Sequence, residues 1–223
     1  MFNPEFEKYK SFIEQYYPES GVISNPVIRE IYNSVNKSIN FMKMIKNIDS
    51  TINSERKKLY NDFNLIHLRV LYHLPSNDVF INNILVRLTS ENILRLAVSF
   101  INPQSDSISN MTYSQMIEEL KQKGFPQRYP DLYNNITNYF GRYSKDVHGE
   151  TIHRYSENDL LMMIRKKKDV KSLASLSKVY ENIVDDIVPF FLKELSTEKT
   201  KIETPVLSQM YTILGEDIYN QFF

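Results

Sequence analysis

The chain is predicted to be all-α, and three features of its 223 residues carry that prediction. It has only 5 glycines, which leaves few sites for the tight turns that close β-hairpins, and no Asn-Gly or Asp-Gly pair occurs. Apolar residues recur at steps of three and four, the period of one helix face. Prolines follow capping residues at Asn3-Pro4, Asn25-Pro26 and Thr204-Pro205, the order of a helix start. With 42% hydrophobic residues, 15 tyrosines and 13 phenylalanines, the chain can fill a core. Residues 1–223 are therefore expected to form one domain, a single multi-helix bundle of about eight helices.

The elements follow in order. From Val27, the residues Ile28, Ile31, Val35, Ile39, Met42, Ile45, Ile48 and Ile52 mark one helical face, and Leu59, Phe63, Ile66, Val70 and Leu74 continue the period. Between them Asn47 to Ser54 is rich in side chains that compete for backbone hydrogen bonds, which predicts a helical hairpin over about 26–75, with one unbroken helix as the alternative. Further helices are expected over 78–102, over 113–123 behind a Thr112/Gln115 capping box, and from 131 to about 148. Others follow over 157–167 behind Ser156 and Asp159, and over 170–195, where Pro189 should kink the helix. The C-terminal helix is expected over about 205–223. The breaks between these segments are short and give no domain boundary.

Composition excludes several classes of function. There is no cysteine, hence no disulfide, thiolate metal site or cysteine nucleophile. Twenty-seven basic residues balance 27 acidic ones, so the chain is not a polybasic nucleic-acid binder, although a local basic groove is compatible with neutrality. The phosphate-loop lysine pattern, the dinucleotide-binding glycine pattern and the GxSxG elbow are absent. The amino terminus lacks a basic-then-apolar leader, and the longest apolar runs fall far short of the roughly 20 residues of a membrane span. A cytoplasmic protein that does not enter the membrane is the expectation.

The segment with most chemistry closes the helix that starts near Asp131: Tyr139-Phe140-Gly141-Arg142-Tyr143-Ser144-Lys145-Asp146-Val147-His148-Gly149-Glu150. Arg142 and His148 are six positions apart and point about 120° away from each other on an ideal helix. They converge only if the helix ends near His148, where Gly149 is placed to end it, or if a second copy of the chain contributes.

An arginine, a few intervening residues and a histidine late in a long helix of an all-helical chain resembles the HEPN superfamily. The phrase Tyr143-Ser144-Lys145-Asp146-Val147-His148-Gly149 is similar to wording in several bacterial HEPN-like proteins. The resemblance implies a metal-independent endoribonuclease of a prokaryotic defence, toxin–antitoxin or abortive-infection system, with RNA as substrate and a homodimer joining two motifs. It also implies a cognate antitoxin or defence-system protein as a possible partner, and no cofactor. Arg142 and His148 would be the catalytic pair, with Tyr143, Ser144 and Lys145 orienting the phosphate or ribose. Active members often carry Asn, Asp or His after the arginine; here Tyr143 stands there.

The chemistry is coherent, because an imidazole titrates near neutrality and moves protons, while a guanidinium donates to two phosphate oxygens at once. The alternative makes Arg142 and Lys145 a solvated face and His148 a cation at a helix carboxyl end. Arg87, Glu91 and Arg95, at spacing four, read as an intrahelical ion ladder or as a cluster in which Glu91 holds Arg95 or Arg142 in the cleft. His148, Glu150 and His153 do not have the spacing of a helical metal site, and no metal is expected. His67 and His73 read as partly buried helix residues. The basic run Arg165 to Lys168 reads as a solvated helix end or a phosphate contact. Two functional readings remain open: the ribonuclease, and a non-catalytic helical partner or regulatory subunit of such a system.

Overall fold

The computed structural model describes residues 4–76, 78–103, 108–147, 170–195 and 202–222. The described residues are all-α, with ten helices and no strand. These are α1 (Pro4–Tyr16), α2 (Val27–Ile48), α3 (Ser54–His73), α4 (Val79–Ile101), α5 (Tyr113–Gln122), α6 (Phe125–Arg128), α7 (Pro130–Val147), α8 (Val170–Leu195), α9 (Thr204–Leu214) and α10 (Glu216–Phe222).

Seven of the about eight expected helices fall within the described residues, which hold ten. Two of the extra helices come from glycines in the left-handed region of backbone space, which L-residues with side chains avoid. Gly124 (φ 68°) ends α5 and lets Phe125-Pro126 start the short α6. Gly215 (φ 82°) splits the expected C-terminal helix over 205–223 into α9 and α10. The remaining addition is α1, which follows the Asn3-Pro4 start. The expected helix over 157–167, with its Ser156 and Asp159 start, lies outside the described residues.

The helix starts show how local chemistry sets boundaries. The Thr112 capping box forms: Thr112 Oγ1 accepts from Gln115 N, and Gln115 Oε1 accepts from Thr112 N at 2.8 Å. Asn25 Oδ1 accepts from Val27 N at 3.0 Å, closing the first turn around Pro26. At the Thr204-Pro205 start the cap is Glu203, one residue earlier, and its side chain makes no capping bond.

Helices α2 and α3 run antiparallel. Lys46 near the end of α2 donates to Asn61 near the start of α3, at 2.7 Å. At the other end Tyr9 of α1 stacks on Tyr32 of α2 and donates its hydroxyl to the Leu71 carbonyl of α3. The turn between them is locked by a buried ion pair. Arg56 donates to Asp49 at 3.1 Å and to Thr51 at 2.8 Å, bonds Ser99 of α4 through its hydroxyl and carbonyl, and lies 4.0 Å from the centroid of the Phe100 ring. Tyr60 donates to the same carboxylate at 2.9 Å. Every charge buried there has a partner, the condition for such a pair to be tolerated.

Helix α4 lies against α3 on one side and α7 on the other, while α2 packs on α8. From Asn92 to Ser99 almost every α4 side chain is buried, the mark of a central helix. Phe125, Tyr129, Phe190 and Phe191 form a tilted and edge-to-face aromatic cluster where α6 and α8 meet. No helix among the described residues is long and apolar enough to cross a membrane. Pro189 sits within α8 on its exposed side.

Candidate nucleic-acid site

Helix α7 positions the motif arginine. Its core face is Leu132, Ile136, Phe140 and Tyr143, all buried. It is tied to α8 by Asn135, which donates to Asp186 at 2.8 Å, and by Asn182, which donates to the Tyr139 hydroxyl at 3.0 Å. Burial raises the Asp186 carboxyl, and the hydrogen bond from Asn135 opposes that rise.

Arg142 falls two positions after Phe140, about 200° around the helix, and so projects away from the side on which Phe140 meets α4. It is exposed and has no carboxylate partner among the described residues; its guanidinium lies 5.4 Å from the ring centroid of Tyr143. Lys145 is likewise exposed. Ser144 turns its hydroxyl back onto the Phe140 carbonyl. Tyr143 is only 7% exposed and belongs to the core, so its bulk anchors the turn that carries Arg142. His148 lies outside the described residues, as do Glu150, His153 and the Arg165–Lys168 run.

The Arg87, Glu91 and Arg95 cluster is an intrahelical ladder with tertiary ties. Arg87 and Arg95 each donate to a different oxygen of Glu91, both at 2.8 Å. All three side chains are largely buried, at 17%, 23% and 16% exposure, so water weakens the pairs less than on an open face. Arg87 also lies 4.6 Å from the centroid of the Phe140 ring, which stacks on Tyr113 at 4.0 Å and 6°. Arg95 donates to the carbonyls of Ile108 and Met111, fixing the segment that leads into α5. Glu91 thus holds Arg95 and Arg87, while Arg142 points the other way. The arrangement braces α7 from behind and leaves the Arg142 side open.

No family model, curated protein or solved structure matches this chain.

The contact of Arg87 on α4 with Phe140 on α7 is invisible in sequence because the two residues are 53 positions apart and no spacing links them. Asp49 and Arg56 escaped for a similar reason, since a turn rich in polar residues reads as solvated. His67 is fully buried, stacked on Phe63 at 4.0 Å, with Nδ1 bonded to the Phe63 carbonyl at 2.9 Å. Burial pushes its imidazole down to about 4, so it is a neutral core residue. Among the described residues no group of three or more His, Asp or Glu is gathered as metal ligands.

Proposed function

We propose that the chain is a HEPN-like, metal-independent endoribonuclease of a prokaryotic defence or toxin–antitoxin system, with Arg142 and His148 as its catalytic pair in a homodimer. The observation that carries this reading is Arg142 itself, an exposed guanidinium without a carboxylate partner among the described residues, on the last turns of a helix whose opposite face is braced by Phe140 and Arg87.

In the proposed reaction His148 takes the proton of an RNA 2′-hydroxyl and that oxygen attacks the adjacent phosphorus. The 5′-oxygen leaves with a proton, giving a cyclic phosphate, while Arg142 neutralises the oxygens of the crowded phosphorus. Lys145, exposed one turn further on, would attract the RNA backbone. An ideal helix carried through both positions would set Arg142 and His148 about 120° apart, which is why the proposal has a second copy supply the missing member of each pair.

Tyr143 favours a second reading. In place of a polar side chain after the arginine the chain has a core residue, which suits a non-catalytic partner or regulatory subunit of the same fold. Incubating the purified chain with RNA in excess chelator, beside His148→Ala and Arg142→Ala, separates the two. The first reading expects cleavage that survives chelation and falls about 100-fold or more in each variant. Absence of cleavage by the parent leaves the second.

A further inference from the structure

The large apolar side chains that the described residues expose to solvent are not scattered. Tyr16, Leu65, Leu68 and Tyr72 are each about half exposed or more, and all lie on the outer side of α3 or at the end of α1 that meets it. Phe12 joins the two ends, its ring centroid 5.2 Å from that of Tyr16 and 6.1 Å from that of Tyr72. On an ideal helix Leu65, Leu68 and Tyr72 fall within one arc of about 120° that also carries Lys58, Asp62 and Arg69. Single exposed apolar residues need no explanation, but a contiguous strip rimmed by charge marks an interface.

The charges on the strip decide what covers it. Lys58, Asp62 and Arg69 make no ion pair among the described residues. Asp62 and Arg69 are seven positions apart, close to two turns, and so lie on the same edge of the strip. A two-fold axis perpendicular to α3 lays a second copy of the helix antiparallel on the first, with each edge meeting its own copy in the reverse direction. Asp62 of each chain then comes level with Arg69 of the other. That register is centred between residues 65 and 66. It sets the two Leu65 side chains within about 1.5 Å of level, the rise of one residue, and brings Lys58 equally near to level with Tyr72 of the second copy. A parallel pair would instead set Asp62 against Asp62 and Arg69 against Arg69, which like charges oppose. The strip complements itself in one direction only, as an isologous interface requires.

We propose that the outer face of α3 is a two-fold interface at which a second copy of this chain docks antiparallel, through Leu65, Leu68 and Tyr72 and two reciprocal Asp62–Arg69 ion pairs. The proposal does not rest on the ribonuclease reading. Helix α4 stands between α3 and α7, so this surface is separate from the one that would join Arg142 to His148. A chain that pairs at both surfaces is a tetramer.

Light scattering on the full chain at about 50 μM, above the micromolar dissociation constants of weaker interfaces, reads the mass of the assembly. Asp62→Arg and Arg69→Asp are each expected to halve the parent's mass, to monomer from dimer or to dimer from tetramer, because each sets like charges face to face. The double variant Asp62→Arg/Arg69→Asp exchanges the charges and should restore the parent's mass, as only a face that pairs with itself allows. Neither residue belongs to the core, so circular dichroism should show the parent's helicity in all three. The absence of cysteine supplies a second readout. Beside the axis, Leu65→Cys should give a disulfide-linked dimer on mild oxidation, whereas Ser208→Cys, exposed on α9, should not. A monomeric parent overturns the proposal and leaves a different protein as the occupant of the strip. An unchanged mass in the single variants, no restoration in the double variant, or no more crosslinking at 65 than at 208 also overturns it. A parent dimer untouched by Asp62→Arg is paired elsewhere and leaves the Arg142 pairing standing, so the two readings fail separately.

Discussion

Arg142 and Tyr143 are adjacent in the chain and face opposite environments: the guanidinium projects from α7 into solvent, and the phenol ring next to it is 7% exposed in the core. Their substitutions should therefore separate cleanly. Arg142→Ala is expected to change stability by less than about 0.5 kcal/mol, as at other surface positions, whereas Tyr143→Ala should cost about 3–5 kcal/mol by leaving a cavity. Urea denaturation of both variants checks this, and equal losses would contradict the assignment of the two faces.

The Asp49 and Arg56 pair makes a second prediction. Asp49→Leu leaves a guanidinium buried without its anion and should destabilise by about 3–5 kcal/mol. Adding Arg56→Met removes the stranded charge and should recover part of that loss. A double variant as unstable as the sum of the two singles would show that the pair is not coupled.

His67 predicts a pH dependence. Its folded-state imidazole is held at about 4, below the ordinary 6.5, because burial disfavours the charged form. The unfolded chain therefore takes up a proton between these values that the folded chain refuses. The stabilisation is present in full above about pH 6.5 and is lost progressively as the pH falls to about 4. His67→Gln retains a donor for the Phe63 carbonyl, and the difference between its stability profile and the parent's isolates the imidazole from the carboxylates. A constant difference across that window would contradict the buried neutral state.

The helical class was legible because it is a property of spacing. The stripe Ile28, Ile31, Val35, Ile39, Met42 and Ile45 is buried in α2, and Thr112 and Gln115 form their reciprocal cap. The boundaries at Gly124 and Gly215 depend on backbone angles that no residue pattern specifies uniquely, so α6 and the division of the C-terminal segment were not foreseen. The ionic ladder on α4 was readable from its spacing of four, but its bracing of α7 through Phe140 depends on where two distant helices meet. Residues that act through their neighbours in sequence could be anticipated; those that act through tertiary contacts could not.

The composite site is tested most directly by mixing inactive variants. In a homodimer whose sites each take Arg142 from one copy and His148 from the other, Arg142→Ala and His148→Ala chains are each inactive alone. A heterodimer of the two has one intact site of two, and random exchange makes about half the dimers mixed, so mixing should restore about a quarter of the parent's RNA cleavage in the presence of chelator. No recovery on mixing, in a parent that cleaves RNA, would contradict a site shared between two copies.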